Sequence, residues 1–517
     1  MGCSHKELGI WPICPYPCVS HLRSLSVSCA LSLSLLVLAS GCDSADPPSA
    51  NLADRPTDLP SKEEVLSRVA PHTLDGFLLS VAEAAPGFAG VYIEDGTLQI
   101  AVAESRAAGR GEAASKSETY AAAVSALRAL APDLFEDYEL AASPRSARYA
   151  FDDVTYWRHV LADRTEGLRL SDSDERRGVA AIGVATEADV ATLRGTAARL
   201  NIPEDGIRAS VGGRVERASA AGDPLLQSHL SVNCIEGGDK INIFMPMDPL
   251  GRSENCTYGA MVYRGQASGS PAGFITNPHC TTMNGLVGGV QGNHYLHSGD
   301  FLGVESFGPD FQSAPVSSTA KRGGSARIPG YTRPFRYSDA AFIDFDLATN
   351  ASPLFGRIVR TATAGTTGPG SSARVGAFEI VGNADSYHHL LGATVQKMGQ
   401  VTNRTVGDVY DPDPNDDISG SCFDYVFPQF QLSGQPDPNY GDMLVCQNRV
   451  QAFADQGDSG GPVFVVLDEL EKRGSQPEVR FQGLIWARST VDYIYSPYGG
   501  VNHDLKAFGG YGALVTH

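Results

Sequence analysis

Gly457-Asp458-Ser459-Gly460-Gly461-Pro462, running straight into Val463-Phe464-Val465-Val466, is the stretch on which the reading of this 517-residue chain turns. Glycines flanking a serine let the backbone turn sharply, leave the hydroxyl accessible and aim amides at one point in space. The amides here would be those of Gly457 and Ser459, placed to receive a carbonyl oxygen as it gains charge. The apolar run behind them reads as a strand. A serine hydroxyl alone is a weak nucleophile. It needs a histidine as base, and the histidine needs a carboxylate to fix its tautomer and stabilise the imidazolium.

Both partners are found upstream. Gly273-Phe274-Ile275-Thr276-Asn277-Pro278-His279-Cys280 is an apolar run ending in a histidine beside a cysteine. Arg336-Tyr337-Ser338-Asp339-Ala340-Ala341-Phe342-Ile343 sets an acid at the head of another, although Asp344 and Asp346 lie on the same segment. From Ile241 onward, short apolar runs alternate with Gly, Pro, Asn and Ser, the pattern of antiparallel barrels or sandwiches. Gly 56 and Pro 31 in the whole chain rule out an all-helical protein.

With His279, Asp339 and Ser459 in that order, the chain resembles the chymotrypsin-fold (trypsin-like) serine proteases, in particular the bacterial streptogrisin and α-lytic protease branch. The resemblance covers about residues 237–517 and includes Lys397-Met398-Gly399-Gln400-Val401-Thr402 and Thr405-Val406-Gly407. It implies a mainly β fold of two antiparallel six-stranded barrels, with His279 as base, Asp339 as its orienting acid, Ser459 as nucleophile and Gly457 and Ser459 as the oxyanion hole. It further implies disulfides Cys256 to Cys280 and Cys422 to Cys446, leaving Cys234 unpaired, and makes Asp458 an ion-pairing group rather than a catalytic acid. Acyl transfer from a protein or peptide substrate to Ser459 would need no cofactor.

There are departures from the family pattern. Pro278 precedes the histidine, Asp339 and Ser459 are about 120 residues apart, and no Ile-Val-Gly-Gly activation sequence is present, Glu236-Gly237-Gly238 being the nearest approximation. Counting back from Ser459 places Phe453 and Ala454 at the base of the specificity pocket, with Trp486, Ala487 and Arg488 on the opposite wall. No acid stands at the base, although Asp455 is close. Apolar or aromatic residues are therefore expected at the cleaved position, with Glu or Asp, met by Arg488, second.

The N-terminal half carries an address and a second module. Ser26 to Ser40 is apolar, is preceded by Lys6 and Arg23, and is too short to span a bilayer as a mature helix. Leu38-Ala39-Ser40-Gly41-Cys42 resembles a bacterial lipobox, which implies a lipoprotein signal peptide over 1–41, lipidation at Cys42 and export to the cell envelope or beyond. A Pro- and Asp-rich tether follows to residue 60. Residues 61–225 then read as an α+β module that resembles the family's propeptide, making the chain a zymogen. Its signals are capping boxes at Ser61 and Ser115, an Asp95-Gly96 hairpin, and a strand, helix and strand over Val179–Val184, Thr186–Leu200 and Ile207–Val211.

Charge narrows the partners. Lys+Arg 40 against Asp+Glu 59 gives a net charge of -19, which argues against nucleic acid and against a polybasic membrane surface. The protease is expected to be a monomer. His294 with His297, and His388 with His389, lack zinc-ligand spacing, and Asp411 to Asp417 lacks the glycine and distal glutamate of an EF-hand loop, so no metal is assigned. Two rivals remain: a catalytically silent binding protein on the same fold, and an adhesion or scaffold protein acting through the N-terminal module.

Overall fold

The structure, a computed structural model, describes residues 59–517 apart from 105–114, 166, 213–215, 218–219, 222–233, 245–252, 265–270, 281–293, 298–299, 308–334, 346–351, 411–419, 427–442, 469–475, 490, 510, 515 and 517. The signal segment, Cys42, the tether to residue 58, Asp346 and Asp411–Asp417 lie outside the described residues, as do the side chains of Cys234, His294 and His297.

Local signals set the module's first elements. Ser61 caps helix Lys62–Leu66 through its hydroxyl alone, because the Glu64 carboxylate that would close the box pairs with Arg68, and beyond Pro71 a second helix, Leu74–Ala84, starts afresh on Thr73. Strands Phe88–Glu94 and Thr97–Ala103 form the expected hairpin, with Asp95 and Gly96 at φ of 51° and 72°, the twist that a two-residue connection requires. The Ser115 and Glu118 capping box closes in both directions on helix Lys116–Leu130. Val179–Val184 and Ile207–Val211 pair in parallel, joined by helix Glu187–Arg199.

Two elements carry no clear sequence signal, helix Phe151–Arg164 and strand Leu168–Asp174. The helix is buried nearly all round, including Arg158 and His159, so its apolar face has no polar counterpart to define a period. The strand buries Ser171, Asp172, Ser173 and Asp174 because it is central: Val179–Val184 pairs on one edge and Phe423–Val426 on the other. Through that second edge the module's sheet continues into the C-terminal half. Arg158, fully buried, sits behind the junction and pairs with Asp75 of the module and with Asp424 at 2.7 Å.

Among the described residues, the C-terminal half is β apart from short turns and helix Tyr498–Gly509, so the chain is mainly β as the resemblance implies. Among the described residues, a nine-stranded antiparallel sheet runs in the order Tyr511–Leu514, Ala260–Arg264, Pro271–Thr276, Ala341–Phe345, Asp300–Phe307, His294–His297, Lys240–Phe244, Ser253–Thr257 and Ala220–Ala221. A second sheet of 15 strands holds Ser352–Thr361, Arg374–Asn383, Thr394–Gly399, Met443–Val450, Pro462–Asp468, Glu478–Arg488 and Tyr493–Pro497 before it reaches the module. Val262, Ile275 and Phe342 from the first sheet pack with Ile358, Phe378, Phe464 and Leu484 from the second, under Val501 and Leu505 of the helix. This apolar seam brings the ends of the two sheets together, and the site lies there.

Candidate active site

Strand Pro271–Thr276 pairs with Ala341–Phe345 so that Thr276 faces Ala341. The residues just beyond each strand end are thereby neighbours: His279, on the short helical turn Pro278–Cys280, and Asp339. Asn277 ties the two together, its amide donating to the Asp339 carbonyl. The disulfide from Cys280 to Cys256 anchors the turn to strand Ser253–Thr257. From the other sheet, the turn ahead of Pro462–Asp468 brings in Ser459, whose carbonyl accepts from the Thr257 amide at 2.8 Å.

The three side chains meet. His279 Nε2 is 2.9 Å from Ser459 Oγ, and His279 Nδ1 is hydrogen-bonded to Asp339 Oδ2. All three residues are buried. Since one ring nitrogen faces a carboxylate, the tautomer with the proton on Nδ1 is favoured, leaving Nε2 as an acceptor for the serine hydroxyl. Asp344 is half-buried on the strand beyond and takes no part in these bonds.

The serine turn is built around glycine. Gly457 has φ of 104°, and a Cβ there would lie 2.6 Å from Val401 and 2.7 Å from Gln400; Gly460 has φ of 84°. Among the described residues no acceptor takes the Gly457 or Ser459 amide, whereas Gly460 and Gly461 donate to Ile485 and Asp458. The two amides that the sequence singled out are thus the two left unused. Asp458 has its own set of partners. Its buried carboxylate takes Lys397 Nζ at 2.7 Å, the Thr402 hydroxyl and the amides of Val401, Thr402 and Asp455. Burial pushes this carboxyl up, but the Lys397 ammonium and the hydrogen bonds outweigh it and hold it below the usual range. Burial in turn lowers Lys397, against the pull of Asp458.

The residues expected to line the specificity pocket lie on two segments, 453–454 and 486–488, linked by the pair of Arg488 with Asp455. Phe453 is half-buried, its backbone held by Thr366 and Thr405, and Ala454 is buried beside it. Trp486 is 1% exposed, donates from Nε1 to Gln447 at 2.8 Å and packs with Tyr425, Leu444 and Ile494. Its ring is packed within this core. Arg488 is met by Asp455 at 3.3 Å, so its charge is already answered within the chain. Ala487 and Arg488 do form an edge for an extended chain, and the protein's own residues use it: Ala487 faces Arg217 and Arg488 faces Glu216, antiparallel.

Several supporting groups had no role in the sequence reading. Arg336 donates to Asp339 Oδ1, the oxygen that His279 does not use. Asp504 accepts from the Tyr337 and Ser338 amides and the Ser338 hydroxyl, clamping the turn that carries the acid. The Asp339 amide donates to Ser496 Oγ, which in turn donates to Gln447. Lys397 had a visible signal, an isolated charge in the apolar strand Thr394–Gly399. Cys422 and Cys446 are disulfide-bonded. His388 bonds Asp133, and His389, pushed down to about 3 by burial, bonds Tyr495, so both histidines have hydrogen-bonding roles.

No family model matches the chain, and no curated protein does. Among solved structures it is similar to Thermobifida fusca protease A, at 18% identity over 55% of this chain and 100% of that one, with a TM-score of 0.29. It is also similar to a Nocardiopsis protease (17% identity, 55% and 100%, TM-score 0.28) and to Cellulomonas bogoriensis chymotrypsin (17% identity, 55% and 100%, TM-score 0.27). Likenesses this distant leave the reading of the site to its own geometry.

Proposed function

We propose that the protein is an exported serine endopeptidase made as a zymogen. The observation that carries this is the placement of His279 between Asp339 and Ser459, hydrogen-bonded on both ring nitrogens, beside two amides with no acceptor among the described residues. Ser459 Oγ attacks the substrate carbonyl as its proton passes to His279 Nε2, and the oxyanion forms against the Gly457 and Ser459 amides. His279 then returns the proton to the leaving amine. Water, deprotonated by the same nitrogen, hydrolyses the acyl-enzyme. Asp339 stays ionised throughout and balances the imidazolium.

Residues 61–225 serve, in this reading, as the propeptide. Their sheet is continued by Phe423–Val426, and their tail lies along the edge where a substrate would pair, Glu216 and Arg217 against Arg488 and Ala487. Ala220 and Ala221 next pair with Asn255 and Glu254, on the strand leading to Cys256 and Thr257. The tail thus bears on both strands that border Ser459, and maturation would remove it. The partner of Asp458 is supplied by Lys397 from within, so this maturation needs no new N-terminus to complete the ion pair. Two disulfides agree with an oxidising compartment, and the lipobox with anchoring through Cys42.

The test is labelling by a fluorophosphonate together with hydrolysis of a denatured protein library. Ser459→Ala should abolish both, with a loss in rate of about 10⁴- to 10⁶-fold, and leave the fold intact. Wild-type hydrolysis surviving in that variant refutes the triad. A wild type that takes no label after its tail is removed favours the silent binding protein.

A further inference from the structure

We infer that Arg336 is a positioning residue for the reaction, holding Asp339 from the side opposite His279 and offsetting part of its charge so that the base stays neutral at lower pH. The inference rests on the triad reading above. Asp339 has two carboxylate oxygens. Oδ2 faces His279 Nδ1 and Oδ1 takes the Arg336 guanidinium, and both Arg336 and Asp339 are 1% exposed. A buried arginine is costly unless its charge is answered. Its partner here is the acid that orients the base.

The geometry is imposed by the fold and not by a flexible side chain finding an opposite charge. Strand Phe335–Arg336 pairs in parallel with Met443–Val450, with Arg336 facing Leu444. From there the chain turns through Tyr337 and Ser338, whose amides are fastened by Asp504, and arrives at Asp339, whose amide is fastened by Ser496. Gln447 Nε2 donates to the Tyr337 carbonyl at 2.9 Å. Guanidinium and carboxylate therefore face each other across a turn clamped from three elements.

The result is a row of three buried groups, imidazole, carboxylate and guanidinium. Protonation of His279 would place two cations on one anion. The imidazolium is then less stabilised than in an isolated pair, because Arg336 both shares the carboxylate and repels the new charge. Other charged or titratable groups face this turn from the surrounding elements. Asp504 and His503 come from helix Tyr498–Gly509, with His72 of the module stacked on His503 at 4.3 Å. Asp424 of strand Phe423–Val426 lies near Tyr337 and is itself paired with Arg158. Strands Pro271–Thr276 and Met443–Val450 meet the turn with the neutral Asn277 and Gln447. Arg336 bonds the Asp339 carboxylate directly.

The experiment compares pH profiles of kcat/KM for the mature wild type, Arg336→Gln and Arg336→Lys, with active sites counted by fluorophosphonate titration. Arg336→Gln keeps a donor but removes the charge, so the acid limb should move up by about 0.5 to 1 pH unit. Arg336→Lys should restore the limb while lowering kcat, since an ammonium replaces the planar fork. A limb in Arg336→Gln within about 0.2 unit of the wild type overturns the inference, as does a limb that rises equally in both variants. Should Arg336→Gln fail to mature, the His279 ring titration is followed by NMR in full-length Ser459→Ala with and without Arg336→Lys. A shifted titration there, with the charge retained, also overturns it. Absence of fluorophosphonate labelling in the wild type would instead sink the protease reading itself.

Discussion

Replacing Lys397 by methionine removes the cation from a fully buried pair while keeping the length of the side chain. Lys397 Nζ lies 2.7 Å from Asp458 Oδ2, it also donates to Thr402 and Asn403, and neither Lys397 nor Asp458 is exposed. The variant leaves a buried carboxylate with hydrogen bonds but no countercharge. Breaking such a pair from one side costs about 3–5 kcal/mol, far more than a surface pair is worth. Denaturant unfolding of full-length Lys397→Met, in a Ser459→Ala background to prevent self-digestion, should show that loss at pH 8. The sign with pH follows from burial. With Lys397 gone, desolvation raises the Asp458 carboxyl above its unfolded value, so the penalty is present at high pH and shrinks as acid protonates the group. The wild-type carboxyl is held low, and its contribution is present above the unfolded value and lost as pH falls through the folded one. Asp458→Asn added to Lys397→Met should recover much of the stability by removing the orphan charge. In the active chain, Lys397→Met should also cut kcat by about 10²- to 10³-fold, because the loosened turn carries the Gly457 and Ser459 amides. A loss below about 1 kcal/mol at pH 8, with normal activity, would refute the assignment of Lys397 as the support of the oxyanion turn.

The other expectations concern the module, the anchor and specificity. Residues 237–517 expressed alone should fail to become active, and residues 43–236 supplied in trans should restore activity; prompt unaided folding of the shorter chain would remove the module's role as a folding template. Cys42→Ser should release the protein from membranes or block its maturation, and a wild type that is already soluble and carries no lipid contradicts the anchor. In a peptide library, apolar or aromatic residues should be favoured at the cleaved position and Arg or Lys disfavoured. Arg488→Ala, which frees Asp455, should raise cleavage after basic residues by roughly five- to tenfold, equivalent to about 1 kcal/mol. An unchanged profile would mean that this ion pair does not border the pocket.

Much of the module was legible because its signals are local. A cap, an Asp-Gly turn or a helical period is decided within a few residues, and Ser61, Asp95, Gly96 and Ser115 do what their neighbours dictate. Helix Phe151–Arg164 and strand Leu168–Asp174 were not legible, since they bury polar residues on every side and leave no pattern to read. Trp486 illustrates the same limit in the C-terminal half. Strand Glu478–Arg488 is buried on both faces around it, so alternation separates nothing there, and Trp486, at a shift of register against Tyr493–Pro497, is buried by Tyr425 and Gln447 from beyond the strand.

By itself the sequence determined the chemical groups: a glycine-framed serine, a histidine beside a cysteine, and an acid opening an apolar strand. These rest on backbone freedom and intrinsic reactivity, which travel with the residues. Only the tertiary structure decided what those groups lean on. His279 and Ser459 are 180 residues apart, Ser171 and Asp424 are 253 apart, and strand register brings each pair together. The pairing of His279 with Asp339, the guanidinium behind Asp339, the lysine beneath the serine turn and the strand Glu216–Arg217 along Ala487 and Arg488 all follow from that register. A buried charge tolerates only a partner delivered to the right place, and which residue is delivered is a property of the fold as a whole.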